Sequence, residues 1–256
     1  NDNGENKRLF GWDTPALGNE YKAFLAAFLP ELRQWLISCG KYEKFRFHLS
    51  DEPNLKVLEH YEKCSAFVRQ FLPDAKFVDA TSHYEYYERK LVDNPFVALD
   101  ETESFISNGA KDYFVYYCMA QRNKFVSNRF LSMPLERTRI LGVQMYLNGV
   151  RGFLQWGYNY YYSFLTREKI DPFFTTDCMG KFQSGDSFVV YPDKNGVLES
   201  VRNEAFLQGI QDYLALEALE KLIGRQAVCE TLENYGLQKN FNDYPKNAAW
   251  LVSLRK

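Results

Sequence analysis

The run His48-Leu49-Ser50-Asp51-Glu52-Pro53 places two adjacent carboxylates where a strand-like segment, residues 44–49, gives way to a turn closed by proline. Neighbouring carboxylates repel and are costly to desolvate together. Held close, such a pair tends to divide into one ionised and one protonated group, the combination that general acid–base chemistry needs. The same six residues also read as a solvated acidic turn in which Asp51 caps the following helix. His48 is placed either to orient one of the carboxylates or to be satisfied inside the fold.

The elements that would position the pair follow from periodicity. Residues 44–49 alternate, with Phe45, Phe47 and Leu49 on one face and Arg46, His48 and Ser50 on the other. Strict alternation would send Asp51 and Glu52 to opposite faces. Both serve one site only if the strand ends near Ser50 and the turn redirects Asp51. Further strands are expected at 7–12, 76–80, 95–99, 112–118 and 152–158. Helical stripes run over 20–38, stopped by Gly40, over 54–72, and over 134–148, stopped by Gly149. Strands alternating with helices imply an α/β fold with a parallel sheet, either doubly wound or a (β/α)8 barrel. No glycine-rich phosphate loop follows any strand, which weighs against nucleotide-binding versions of the doubly wound fold. Residues 159–200 lack a long element apart from a small hairpin around 187–191 and the turn residues Pro192 to Gly196, so they read as a lid or active-site loop. A helix over Val201–Ile223 and a weaker pair from 225 to 256 close the chain.

Composition narrows the function classes. The 256 residues carry a net charge of -2, which gives no electrostatic case for a nucleic-acid or anionic-membrane partner. No apolar run reaches the roughly 18 residues of a membrane span. The opening Asn1-Asp2-Asn3-Gly4-Glu5-Asn6 shows no basic-then-apolar leader and reads as a fragment or processed start. Five dispersed cysteines and three dispersed histidines argue against a disulfide framework, a metal site or a cofactor. Aromatic residues make up 17% of the chain, with 18 Tyr and 21 Phe, which fits either a large aromatic core or a cleft whose rings stack on sugar faces.

A set of separated segments, in order, carries a resemblance. They are Gly11-Trp12-Asp13, Tyr21 to Leu25, His48 to Pro53, Tyr117-Cys118, Gly152 to Asn159, Gly185-Asp186, Tyr191-Pro192, Ser200 to Glu204 and Gly209 to Tyr213. Together they resemble the catalytic barrel of glycoside hydrolase family 123, the β-N-acetylgalactosaminidases, and a related domain family of unknown function. The chain departs from the family pattern at Val115, usually Trp, and at Met119, usually Pro. The resemblance implies a (β/α)8 TIM-type barrel in which segment 7–12 is the third strand, 44–49 the fourth and 152–158 the eighth. The chain is then a single catalytic barrel domain, 1–256, whose first strands and any β-sandwich lie upstream of Asn1.

The resemblance also implies roles. Asp51 would polarise the 2-acetamido group of the substrate, and Glu52 would act as general acid and base. Tyr117 would hydrogen-bond the acetamido carbonyl, and Trp156 would floor the sugar. Trp12, Tyr158, Asn159 and His48 would contribute binding contacts, and Arg202 and Glu204 would anchor the lid. The substrate would be a glycan or glycolipid, in a bacterial periplasmic or secreted setting. Adjacent carboxylates suit retention assisted by the substrate's own acetamido oxygen better than a nucleophile and acid on opposite walls. A carbohydrate-binding barrel without catalysis, and a β-N-acetylhexosaminidase for another sugar, are the alternatives.

Overall fold

The computed structural model describes residues 8–122 and 124–255; residues 1–7, 123 and 256 lie outside the described residues, and with them the opening Asn1–Asn6 and the first residue of the expected strand at 7–12. The chain divides at Pro95 and Phe96 into two compact units.

In the first unit, helix α1 spans Asn19–Ser38 and α2 spans Leu58–Arg69, the latter preceded by a 3-10 turn over Leu55–Val57. A short helix, α3, covers Tyr84–Glu88. Gly40 ends α1 as its pattern predicts. It takes φ +63°, where a side chain would be strained, so that its N–H bonds to Ile37 O and that of Lys41 reaches back to Leu36 O, both at 2.9 Å. The expected strands at 44–49 and 76–80 reduce to a parallel bridge between Phe47 and Phe77. The alternation itself holds. Phe47 and Leu49 pack into a cluster with Leu29, Leu36, Val68, Leu72 and Phe77, while Arg46 and His48 are exposed. Leu49 also touches a second cluster built on Tyr61, Tyr86 and Val92, so it joins the two halves of this core.

In the second unit, strands β1 (Phe96–Ala98), β2 (Phe114–Tyr116) and β3 (Phe153–Leu154) form a parallel sheet in the order β1-β2-β3. The crossovers are helical: α4 (Glu103–Ser107) between β1 and β2, then α5 (Leu135–Arg139) and α6 (Leu141–Leu147) between β2 and β3. Parallel neighbours need such crossovers. A hairpin, β4 (Val190–Asp193) with β5 (Gly196–Glu199), turns at Lys194-Asn195, within the expected turn residues, and its strands lie beyond most of the 187–191 segment. The helices α7 (Val201–Ile223), α8 (Arg225–Asn234) and α9 (Ala248–Ser253) follow. A core of Ile140, Val143, Tyr146, Val228, Leu232 and Leu251 binds α6 to these helices. Helix α7 crosses α6 so closely that a Cβ on Gly142 would stand 1.8 Å from Gly209 O, which gives Gly209 a packing role.

The architecture is therefore α/β, and the strands seen among the described residues do not by themselves close a barrel. They are shorter than expected. Residues 8–12 hold no strand: Trp12 lies in a turn closed by Thr14 N–H to Gly11 O at 3.1 Å. Short strands owe their pairing to neighbours contributed by distant sequence, which local periodicity does not register.

Candidate active site

The acidic turn is built from its flanks. The strand-like run ends at Leu49, and Asp51 and Glu52 sit in a bend, both exposed to solvent. Glu52 takes φ +43°, the left-handed region that costs a residue with a Cβ about 1–2 kcal/mol. The backbone thus turns at Glu52, one residue after the Asp51 that strict alternation sets on the opposite face. Capping of the next helical segment does not fall to Asp51. Asn54 performs it, its side-chain oxygen accepting from Lys56 N–H at 3.0 Å. The capping half of the solvated-turn reading therefore fails, while the solvent exposure it expected is present.

A third carboxylate, Asp79, lies fully buried behind the turn. Its Oδ1 accepts from the Leu49 N–H at 2.7 Å and lies 2.7 Å from His48 Nδ1. Its Oδ2 accepts from the Tyr61 hydroxyl, and the Ser50 N–H also faces the carboxylate. Burial pushes Asp79 above the usual carboxylate range, and the Tyr61 and Leu49 donors and the nearby His48 act against that shift. His48 therefore faces a carboxylate at the end of the neighbouring segment, with its own side chain 53% exposed. Sequence reading passed over Asp79; the available signal was a lone acid ending the segment 76–80. A cavity of about 420 Å³ in this unit, lined by Leu25, Leu29, Phe47, Leu49, Tyr61 and Phe67 among others, reaches His48 and Ser50 but not the acidic pair.

The second unit positions an aromatic ring. Trp156, just beyond β3, is 42% exposed. Its indole N–H donates to Asp186 Oδ2 at 3.0 Å, and Tyr160 and Phe182 meet it with ring centroids 5.2 Å away. The rings pack at 66° and 59°, so they steady Trp156 without stacking on it. Asp186 is fully buried. Its Oδ1 accepts from Gln155 Nε2 at 3.2 Å, and its backbone O accepts from Gln155 at 2.8 Å and from Arg129 at 3.0 Å. Burial raises Asp186 against the opposing effects of the Trp156 bond and the Arg129 charge. The same burial pushes Arg129 down to about 10. Arg202 ties the segment together by donating to Arg129 O at 2.9 Å and Gly185 O at 2.8 Å. It thereby holds the long loop at Gly185, where a Cβ would stand 2.7 Å from its guanidinium.

The remaining candidates fall in different places. Tyr158 is 53% exposed and Asn159 is exposed in an antiparallel bridge to Phe188, both at the start of the long loop. Tyr117 departs from expectation: its ring packs on Phe153 at 4.8 Å, its side chain is fully buried, and its hydroxyl has no hydrogen-bond partner among the described residues. The hydroxyl expected to meet the acetamido carbonyl is therefore enclosed in this structure. Trp12 is wholly exposed in its turn rather than held at a strand end.

The comparisons with known proteins agree on one family. The family model described as "Glycoside hydrolase 123, catalytic domain" matches residues 1–219. No curated protein matches the chain. Among solved structures, a family 123 glycoside hydrolase from Clostridium perfringens, studied for glycolipid glycan hydrolysis, is similar with a TM-score of 0.67 at 15% identity. The similarity covers 94% of this chain and 44% of that one, so the chain spans less than half of that relative's length.

Proposed function

The chain belongs to glycoside hydrolase family 123, and from that premise we propose that it removes terminal β-linked N-acetylgalactosamine with retention, using the substrate's acetamido group as nucleophile. In the first step Glu52 gives its proton to the glycosidic oxygen while the acetamido carbonyl oxygen attacks the anomeric carbon, expelling the aglycone and forming an oxazolinium ion. Asp51 accepts a hydrogen bond from the acetamido N–H and balances the positive charge as it develops. In the second step Glu52 takes a proton from water, which opens the oxazolinium at the anomeric carbon and restores the original configuration.

The observation that carries this reading is the form of the acidic turn. Two neighbouring carboxylates are presented together at a strained bend, while Asn54 performs the capping that Asp51 would otherwise explain. Ordinary retaining enzymes set a nucleophile and an acid about 5 Å apart across the sugar. A substrate that supplies its own nucleophile needs no such opposite wall. In the second unit, Trp156 is the ring we assign to stacking on a sugar face, since its indole N–H is already engaged and its face is partly open. For the whole catalytic domain we propose a (β/α)8 barrel, supported by the parallel pairing of β1, β2 and β3 through helical crossovers. The glycolipid glycan associated with the C. perfringens neighbour makes glycolipid sugars a substrate class to include.

The test compares nitrophenol release from the aryl β-N-acetylgalactosaminide and from the aryl β-galactoside. The reading expects turnover of the first alone. Equal turnover of both removes the acetamido group from the mechanism.

A further inference from the structure

We propose that Asp79 is the positioning residue of the acidic turn, a buried carboxylate that fixes the backbone entering Asp51 and Glu52 and sets the orientation of the His48 imidazole. The proposal rests on the reading that this turn carries the chemistry. Asp79 engages donors from consecutive residues immediately upstream of the pair: the His48 ring at 2.7 Å, the Leu49 N–H at 2.7 Å, and the Ser50 N–H facing it. The downstream side is held separately. The Tyr86 hydroxyl donates to Asn54 O at 2.8 Å, two residues after Glu52. The two holds are joined, because the Tyr61 hydroxyl donates to Asp79 while the Tyr61 ring meets Tyr86 edge-on at 5.0 Å and 85°.

This arrangement accounts for a bend that would not persist alone. Glu52 at φ +43° is strained, and such conformations survive where their surroundings over-determine them. Asp79 and Tyr86 supply constraints on both sides of it. A fully buried carboxylate is an expensive way to hold two backbone amides, and an asparagine oxygen would accept from them at lower desolvation cost. What the carboxylate adds is a second acceptor oxygen: Oδ1 serves Leu49 and the imidazole while Oδ2 takes the Tyr61 hydroxyl, and Val78 O lies 3.3 Å from the same His48 Nδ1. Accepting from Nδ1 places the His48 proton on that nitrogen and leaves Nε2 as an acceptor on a ring that is 53% exposed.

The test uses Asp79→Asn and Tyr61→Phe beside the wild-type chain, with circular dichroism as the check on folding. For an aryl β-N-acetylgalactosaminide, Asp79→Asn should lower kcat by about tenfold to a hundredfold with KM within about twofold, the signature of misplaced catalytic groups. Tyr61→Phe, which removes one donor and leaves the amide contacts, should give a smaller loss in kcat alone. Unchanged kcat in a folded Asp79→Asn chain overturns the proposal, as does a loss spread equally over kcat and KM. The nitrogen-15 shifts of the His48 ring supply a readout independent of turnover. They should show the Nδ1–H form in the wild type and a shift toward a mixed form in Asp79→Asn, where a weaker amide acceptor and Val78 O remain beside Nδ1, and a mixed form in the wild type contradicts the role. If the wild type hydrolyses neither sugar but shows that tautomer shift, the functional reading fails while the positioning stands.

Discussion

Asp79 in the first unit and Asp186 in the second are both fully buried, both raised by desolvation, and both placed behind an exposed group at the end of a strand-like segment. They hold different things. Asp79 gathers two backbone amides, an imidazole and a phenol, and what it fixes is a turn. Asp186 gathers an indole N–H and the Gln155 amide, with Arg129 on its backbone oxygen, and what it fixes is a ring. Under the proposed function the difference matches the two tasks. A carboxylate that transfers a proton would have to be aimed, and its aim would be set by its backbone. A ring that stacks on a sugar would have to be held in one plane, and here one edge contact and neighbours at steep angles hold it.

The comparison can be broken most decisively at the exposed groups of the first unit. Glu52→Gln and Asp51→Asn should each lower kcat/KM on an N-acetylated substrate by about 10²- to 10⁴-fold, measured by steady-state kinetics. Glu52→Gln should spare nitrophenyl substrates relative to natural glycans, because a good leaving group needs little protonation. A comparable loss with both substrate types would take the acid role away from Glu52. In the second unit the corresponding change acts first on stability. Asp186→Ala leaves the Trp156 N–H without its acceptor, while Gln155 keeps the backbone oxygen of residue 186, and denaturant unfolding should report a loss of about 1–3 kcal/mol. Trp156→Ala sharpens the contrast. It should raise KM about threefold to tenfold with kcat nearly unchanged, as expected for a stacking contact of about 0.5–1.5 kcal/mol. If kcat falls and KM stays constant, Trp156 belongs with the proton-transfer machinery.

The smallest effect is in pH. A carboxylate raised in the folded state binds its proton more tightly there than in the unfolded chain, so its contribution to stability is fully present below the ordinary value of 3.8 and is lost as pH rises through the raised folded value. Thermal unfolding followed upward from about pH 4 should show this decline for wild type. Asp186→Asn should flatten it, and an unchanged slope in that variant would assign the decline to other groups.

The exposed half of this picture was legible in the sequence and the buried half was not. Asp51 and Glu52 stand out by type and adjacency, and the alternation of Arg46 and His48 against Phe47 and Leu49 survives in the structure. Helix α7 matches its expected bounds because its ends are specified locally: the Ser200 side chain accepts from Asn203 N–H at 3.3 Å, and Gly224 at φ +82° ends the helix. Asp79 stayed hidden because its donors lie at 48–50 and 61, and a single acid at a segment end carries no pattern that announces such partners. Tyr117 shows the converse. Its position after β2 looked ligand-facing, yet Phe153 covers it. The hairpin spans Val190–Glu199 about the expected turn residues, while Phe188 and Val189 before it are buried. Trp12 lost its strand because no neighbour pairs with residues 8–12 among the described residues.

The central claim is that the acidic turn serves a substrate which attacks itself. The most direct measurement is kcat/KM across aryl β-galactosaminides bearing N-acetyl, N-fluoroacetyl, N-difluoroacetyl and N-trifluoroacetyl groups. Each fluorine drains electron density from the carbonyl oxygen that must act as nucleophile, so the account predicts a steep, monotonic fall across the series. A flat series would show that the acetamido oxygen takes no part in the rate-determining step, and would contradict the account.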